Sequence, residues 1–203
     1  MRPRARACGR WALLFELDSA DEVAATTAAL REAALPDVVE LVPAARTVLV
    51  EVRSGGDLGA VRAAVAEVDP AVSRGAAGAR HTIPVIYDGE DLTLVAETAG
   101  LSADEIVELH TGAEYTVDFC GFAPGFGYLS GLPEPLRQPR LESARSAVPA
   151  GSVGVADVYS CVYPRRSPGG WRLIGRTDVV MFDPAADPPA RLSPGDRVRF
   201  EAQ

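Results

Sequence analysis

Tyr115-Thr116-Val117-Asp118-Phe119-Cys120-Gly121-Phe122-Ala123-Pro124-Gly125-Phe126-Gly127-Tyr128-Leu129 decides how the second half of this chain folds. In its first six residues Tyr115, Val117 and Phe119 alternate with Thr116, Asp118 and Cys120, the period-two pattern of a half-buried strand. Short strand candidates follow at 151–156, 158–163, 171–175, 179–182 and 197–201. Turn clusters such as Ser167-Pro168-Gly169-Gly170 and Ser193-Pro194-Gly195-Asp196 separate them. Many short strands punctuated by Gly/Pro turns predict a closed barrel or a sandwich.

Upstream the pattern is mixed. A basic, frayed start runs into an apolar strand at 11–17. Ser19 followed by Glu22 opens a helix through about residue 34, with Val23, Thr27, Leu30 and Ala34 on one face. Strands at 37–42 and 47–52 are joined across Pro43-Ala44-Ala45-Arg46, and Asp57 caps a second helix that buries Leu58, Val61, Val65 and Val68. A Gly/Ala-rich loop at 74–79 leads to a strand at 82–87. The order β-α-β-β-α-β predicts a ferredoxin-like domain over 1–84, followed by a barrel domain over 85–203. Two short helices open the second part. One spans 91–99 and stops at Gly100; the other starts at Ser102-Ala103-Asp104-Glu105, carries His110 and stops at Gly112.

Composition bounds the function. The chain has 203 residues, 47% hydrophobic and 24% charged, with a net charge of −8. That acidity argues against nucleic acid and against an anionic membrane surface, both of which select clustered Lys and Arg. No run approaches the ~18 apolar residues of a membrane-spanning helix. Cys8, Cys120 and Cys161 are widely spaced and odd in number, so neither a disulfide framework nor a zinc site is indicated, and the reducing cytoplasm is the expected compartment. With only His81 and His110 present, a histidine metal site is not expected. Gly151-Ser152-Val153-Gly154 lacks the spacing of a nucleophile elbow, and Ser167-Pro168-Gly169-Gly170 lacks the ending of a phosphate loop.

What remains is the density of Gly, Pro and rings at 121–129. It reads either as an ordered loop packed on the barrel or as a pocket wall with backbone N–H groups open to a ligand. Arg140, Arg145 and Arg176 stand in stretches otherwise poor in charge. They suit a carboxylate or phosphate, or else pair with the abundant Asp and Glu. Ser152 and Tyr163 offer hydrogen bonds without a neighbouring base, and His110 reads more readily as a cap than as a general base.

These residues also resemble a known family. Leu109-His110, Glu114-Tyr115, Gly121-Phe122-Ala123-Pro124-Gly125-Phe126, Tyr128-Leu129-Ser130-Gly131-Leu132, Pro139-Arg140, Val148-Pro149-Ala150-Gly151-Ser152-Val153-Gly154, Tyr163-Pro164 and Ser167-Pro168-Gly169-Gly170-Trp171-Arg172-Leu173-Ile174-Gly175-Arg176-Thr177 occur in that order. Together they are similar to the family of 5-oxoprolinase B subunits, also called the KipI or allophanate hydrolase subunit 1 family. The resemblance implies an α+β fold, with a small N-terminal domain and a cyclophilin-like β-barrel. It implies a chain that is inactive alone and works in a cytoplasmic complex. The partners would be a C-type subunit, of the KipA or allophanate hydrolase subunit 2 kind, and an A-type subunit of the LamB/YcsF kind. That complex opens 5-oxo-L-proline to L-glutamate, with ATP as co-substrate and no covalently bound cofactor. Coupling to ATP makes chemical sense, because an unstrained amide is a poor electrophile until its oxygen is activated.

Carried onto this chain, the resemblance implies His110 and Ser152 as orienting or polarising residues of the catalytic site. It implies a pocket of Tyr115, Phe122, Phe126, Tyr128, Arg140, Arg145, Tyr163, Trp171 and Arg176, with the arginines facing anionic groups. Two departures from the family pattern stand out. Asp157-Val158-Tyr159-Ser160-Cys161 replaces a Gly-Gly-Gln-Thr-Gly element before Val162-Tyr163-Pro164, and Ala144-Arg145 replaces a Pro-Arg pair. Two other readings stay open: a component of an allophanate or urea amide hydrolase, and a KipI-like inhibitor of a sensor histidine kinase. The end at Gln203, just past the last strand, leads to the expectation that the C-type partner is a separate chain.

Overall fold

Arg4–Ala7 (β1) and Ala12–Glu16 (β2) pair antiparallel at the start of the chain. The computed structural model describes residues 3–69 and 78–203, and the chain divides into two units, Met1–Ala76 and Ala77–Gln203. In the first, Val38–Pro43 (β3) and Thr47–Val52 (β4) complete a sheet in the order β1-β2-β4-β3. Helices Ala20–Ala33 (α1) and Leu58–Ala66 (α2) bring Val23, Leu30, Val61 and Val65 onto Leu13, Phe15, Val48 and Val50.

The caps act as the sequence predicts. Ser19 Oγ accepts from Glu22 N–H, and Asp57 Oδ1 accepts from Gly59 and Ala60. Glu22 in turn accepts from Asp18 N–H, one residue earlier than a capping box requires. Val68 lies beyond the end of α2, and residues 74–77 of the predicted loop lie outside the described residues.

The strand expected at 82–87 forms at Arg80–Val85 (β5) but joins the other unit. It pairs in parallel with Arg197–Ala202 (β13) over six residues, which buries Ile83 and Val85 completely. The edge place that a ferredoxin-like order gives to this strand, beside β2, is held instead by β1, the basic segment expected to be frayed. The physical reason is burial: Ile83 and Val85 gain a full apolar environment against Val198 and Phe200. A partner more than a hundred positions downstream leaves no trace in local periodicity.

The second unit adds Leu92–Ala99 (α3), Ala103–Gly112 (α4), Tyr115–Cys120 (β6), Gly127–Ser130 (β7), Arg145–Val148 (β8), Ser152–Ala156 (β9), Tyr159–Val162 (β10), Ser167–Gly169 (β11) and Arg172–Arg176 (β12). Gly100 ends α3 in the left-handed conformation, and the Ser102/Glu105 capping box forms in full. Seven strands run in the order β12-β9-β10-β7-β6-β13-β5, while β8 and β11 form a separate pair. Residues 179–182 do not form the expected strand; Phe182 makes only an isolated bridge to Ala190.

The seven-stranded sheet curls until its ends meet. Ile86, just past β5, and Arg176, the last residue of β12, exchange backbone hydrogen bonds of 2.9 and 2.8 Å. The fold is therefore mixed α/β with a nearly closed, barrel-like sheet, as the strand count predicts in outline. Closure requires a bare backbone at the seam. A methyl group on Gly175 would lie 2.6 Å from Ile86 O and 2.8 Å from Val85 Cγ1, and one on Gly89 would strike the 173–175 backbone. Gly175→Ala is accordingly expected to cost about 1–3 kcal/mol by overpacking. Gly112→Ala, whose methyl meets nothing within 4 Å, should stay within about 0.5 kcal/mol. Urea unfolding of both variants checks the contrast; equal midpoints would show that the seam yields freely.

Candidate functional site

Strands β9, β10 and β12 are buried on both faces, and the period of two sorts their side chains into two layers. Val153, Val155, Val162 and Ile174 point into the barrel core with Tyr115, Val117 and Leu129. Ala156, Cys161, Tyr163, Trp171 and Leu173 belong to a second cluster with Ala123, Phe126 and Val148. That outer layer is an aromatic wall. Phe119 stacks on Tyr128 at 4.2 Å, and Tyr159 meets both edge-on. Phe126 sits edge-on to Tyr128, Tyr163 and Trp171 at 5.1–5.7 Å. These are the offset and T-shaped arrangements that ring quadrupoles favour.

The wall has an exposed rim. Phe122 is 59% exposed and meets Phe126 and Tyr163 with its ring. It takes φ +67°, a conformation that costs a non-glycine residue about 1–2 kcal/mol. The loop accepts that strain and presents the ring outward. The Arg140 guanidinium lies 5.9 Å from the Trp171 ring centroid, a cation–π contact, and 3.6 Å from the Asp157 carboxylate. Burial pushes the Cys161 thiol and the Tyr163 phenol well up, so both are neutral near pH 7. Arg140 therefore sets its charge against an uncharged aromatic surface. The combination can take a small, flat, partly apolar molecule that carries an anionic group.

The structure thus brings together Phe122, Phe126, Tyr128, Tyr163, Trp171 and Arg140 from the predicted set. Phe119, Tyr159, Cys161 and Asp157 join them, although sequence reasoning did not choose them. Phe119 had a signal in the strand alternation. Tyr159 and Asp157 lay in the segment noted only as a departure.

Other predicted residues lie elsewhere. His110 and Tyr115 have no exposed surface. Tyr87 OH lies 2.7 Å from His110 Nδ1, and His110 Nε2 lies 3.0 Å from Ser160 Oγ, which itself donates to Gly154 O. That chain of donors assigns the proton to Nε2. The ring stacks on Phe200 at 4.4 Å, and Tyr115 OH donates to His110 O at 3.1 Å. His110 is thus a satisfied core residue whose bond to Ser160 braces β10 from inside the barrel. Tyr115 is core as well. Both side chains are thus enclosed in the core of this unit, away from the exposed rim at Phe122 and Arg140.

Arg145 is tied down, with Nη2 2.8 and 2.9 Å from the Asp91 carboxylate oxygens and Nε 3.2 Å from Glu90. Arg176 pairs with Asp88 at 2.9 Å. Ser152 is 6% exposed and stands opposite Arg176 in the register. These two therefore sit at the seam. A cavity of about 520 Å³, lined by Arg4, Glu16, Asp18, Glu22 and Arg46 among others, belongs to the N-terminal unit and contains none of the predicted residues. Its charges already pair, Arg4 with Glu16 and Arg46 with Asp18.

Set beside known proteins, residues 3–192 match the family described as "Carboxyltransferase domain, subdomain C and D". Over 124 residues the chain is 53% identical to the 5-oxoprolinase B subunit of Escherichia coli O157:H7, which covers 60% of this chain and 57% of that protein. It is 47% identical over 121 residues to the 5-oxoprolinase B subunit of Bacillus subtilis (strain 168), covering 58% and 50%. The matched segments thus span about half the length of these curated relatives. A urea amidolyase of Saccharomyces cerevisiae is 29% identical over 130 residues, 60% of this chain and 7% of that protein. Among solved structures, TTHA0988 superposes with a TM-score of 0.84 at 34% identity, covering 98% of this chain and 41% of that one. The resemblance seen between Leu109 and Thr177 is borne out by these relatives. Among the described residues no helix is long and apolar enough to cross a membrane.

Burial pushes the His110 pKa down from 6.5 to about 3. Between those values the unfolded chain holds a proton on this ring and the folded chain does not. Stability should therefore fall as pH drops below about 6.5, with a slope approaching ~1.4 kcal/mol per pH unit. His110→Gln should remove that component, so urea midpoints of parent and variant converge toward acid. Parallel curves would mean that His110 becomes charged inside the fold.

Proposed function

This chain belongs to the carboxyltransferase domain, subdomain C and D, family, and we propose that it serves as the B subunit of an ATP-dependent 5-oxoprolinase. The complex would open 5-oxo-L-proline to L-glutamate, with ATP as co-substrate, in the cytoplasm. Its partners would be a C-type subunit of the KipA kind and an A-type subunit of the LamB/YcsF kind. In finer detail we read the barrel-like unit as cyclophilin-like. The names of the curated relatives support the reaction.

The observation that carries the reading is the exposed rim of the aromatic cluster, Phe122 on one loop and Arg140 resting over Trp171. Phe122 and the Arg140 side chain are each 59% exposed. A five-membered lactam is small, flat and largely apolar on its faces, and 5-oxo-L-proline bears one carboxylate. Phe122 would cover a face of the ring, and Arg140 would turn from Asp157 to hold the carboxylate. An exposed rim of this kind leaves its other side to a partner surface, which fits a chain that is inactive alone. Shutting out water there would strengthen the Arg140–carboxylate attraction and hold the amide in place for activation.

Reconstitution tests this directly. The three subunits with ATP and 5-oxo-L-proline should release glutamate, and omission of this chain should abolish release. Turnover that continues without this chain would overturn the reading. Similarity to a urea amidolyase favours a second reading, action on an allophanate- or urea-type amide, and substrate profiling of the same mixture separates the two.

Side-chain tests follow from the rim. Arg140→Gln should lower kcat/KM by roughly 10–100-fold, the worth of a hydrogen bond between charged groups. Phe122→Gly should relieve the backbone strain while removing the ring. Folding stability should then stay within about 1 kcal/mol while kcat/KM falls about ten-fold. Thermal melts alongside activity read both arms, and a variant that keeps full activity removes its residue from the site.

A further inference from the structure

Asp91 stands at the N-cap of α3, where an aspartate ordinarily accepts a hydrogen bond from the first turn of its own helix. It makes no such bond. Its carboxylate, on a residue 5% exposed, is turned across the seam to β12 instead. Oδ2 accepts from Leu173 N–H at 2.7 Å, and both oxygens accept from Arg145 Nη2 at 2.8 and 2.9 Å. Asp91 N–H donates to Leu173 O at 2.9 Å. Arg145 passes the connection on, since Nη1 donates to Trp171 O at 3.4 Å. The two side chains thus hold the backbone at both ends of Trp171-Arg172-Leu173. Trp171 is the residue whose ring carries Arg140 and meets Phe126 and Tyr128.

We propose that Asp91, acting through Arg145, is a positioning residue that sets the Trp171 ring and hence Arg140 in the substrate-facing wall. Arg145 is then a strut beneath the wall, and not a ligand for an anion. A local cap has been given up for a tertiary contact, which places the purpose of the carboxylate at residues 171–173. The inference rests on the oxoprolinase reading for its consequence in turnover. Its geometric part, the placement of Trp171, stands apart from that reading.

The experiment uses both readouts. Trp11 is replaced by Phe so that Trp171 alone reports fluorescence, and Asp91→Ala and Arg145→Gln are made separately and together in the full chain. The folded single variants should each shift Trp171 emission. Because the parental residue is only 5% exposed, each should also raise its quenching by acrylamide. In the reconstituted complex each should lower kcat/KM about ten-fold or more, as misplacement by about an ångström does. The double variant should lose no more than either single variant, because the pair acts as one unit. Unchanged emission together with kcat/KM within two-fold of the parent, in a variant whose melt shows it folded, overturns the proposal. If Asp91→Ala fails to fold, Arg145→Gln decides by the same criteria. If the parental complex shows no oxoprolinase turnover, that reading fails alone, and the emission measurement still decides whether Asp91 places Trp171.

Discussion

The second unit depends on the seam where residues 86–91 lie against 172–176. Two backbone hydrogen bonds between Ile86 and Arg176 bring the ends of the seven-stranded sheet together. The approach is close enough that side chains at Gly89 and Gly175 are excluded. Asp91 supplies the polar part of the same junction, with its carboxylate on Leu173 N–H and on Arg145. A barrel-like sheet has no free edges to solvate once its ends meet. Open the seam and β9, β10 and β12 lose the geometry that gives them two apolar faces.

Two-sided burial sorts these side chains into an inner and an outer layer. A strand with solvent on one face offers only polar groups there, whereas β10 turns Ser160 and Val162 inward and Tyr159 and Cys161 outward against rings. The inner layer is satisfied by the Tyr87–His110–Ser160 chain of hydrogen bonds, so the one buried histidine stays neutral and serves packing. The outer layer ends in a ring that a strained Phe122 backbone holds in solvent and in an arginine resting over Trp171. Backbone strain and an exposed ring coincide at Phe122, which supports the contact surface proposed there.

Residue type and spacing made much of this legible. The alternation from Tyr115 to Cys120 appears as β6, and the capping pairs at Ser19, Asp57 and Ser102 appear as helix starts. Local chemistry suffices there, because a cap or a pleat is made by neighbours in the chain. The Gly-Phe-Ala-Pro-Gly-Phe loop was marked by composition, and its rings do line the wall. The arginines were not separable in the same way. Arg140, Arg145 and Arg176 look alike in sequence, yet their fates differ because Asp157, Asp91 and Asp88 stand at different depths from solvent.

By itself the sequence determined the barrel-like character of the second unit, the starts of the helices and the aromatic loop. Each of these is set by periodicity or by contacts a few residues apart. Tertiary structure alone decided that β5 leaves the first sheet for β13, that β1 takes the vacant edge, and that His110 is core. It also decided that Asp91 and Arg145 brace Trp171 from behind. Apart from the β1–β2 pairing, which fills the edge that β5 leaves, these outcomes turn on partners from 23 to more than a hundred residues away. At such separations the energy of burial, and not local preference, selects which surfaces meet.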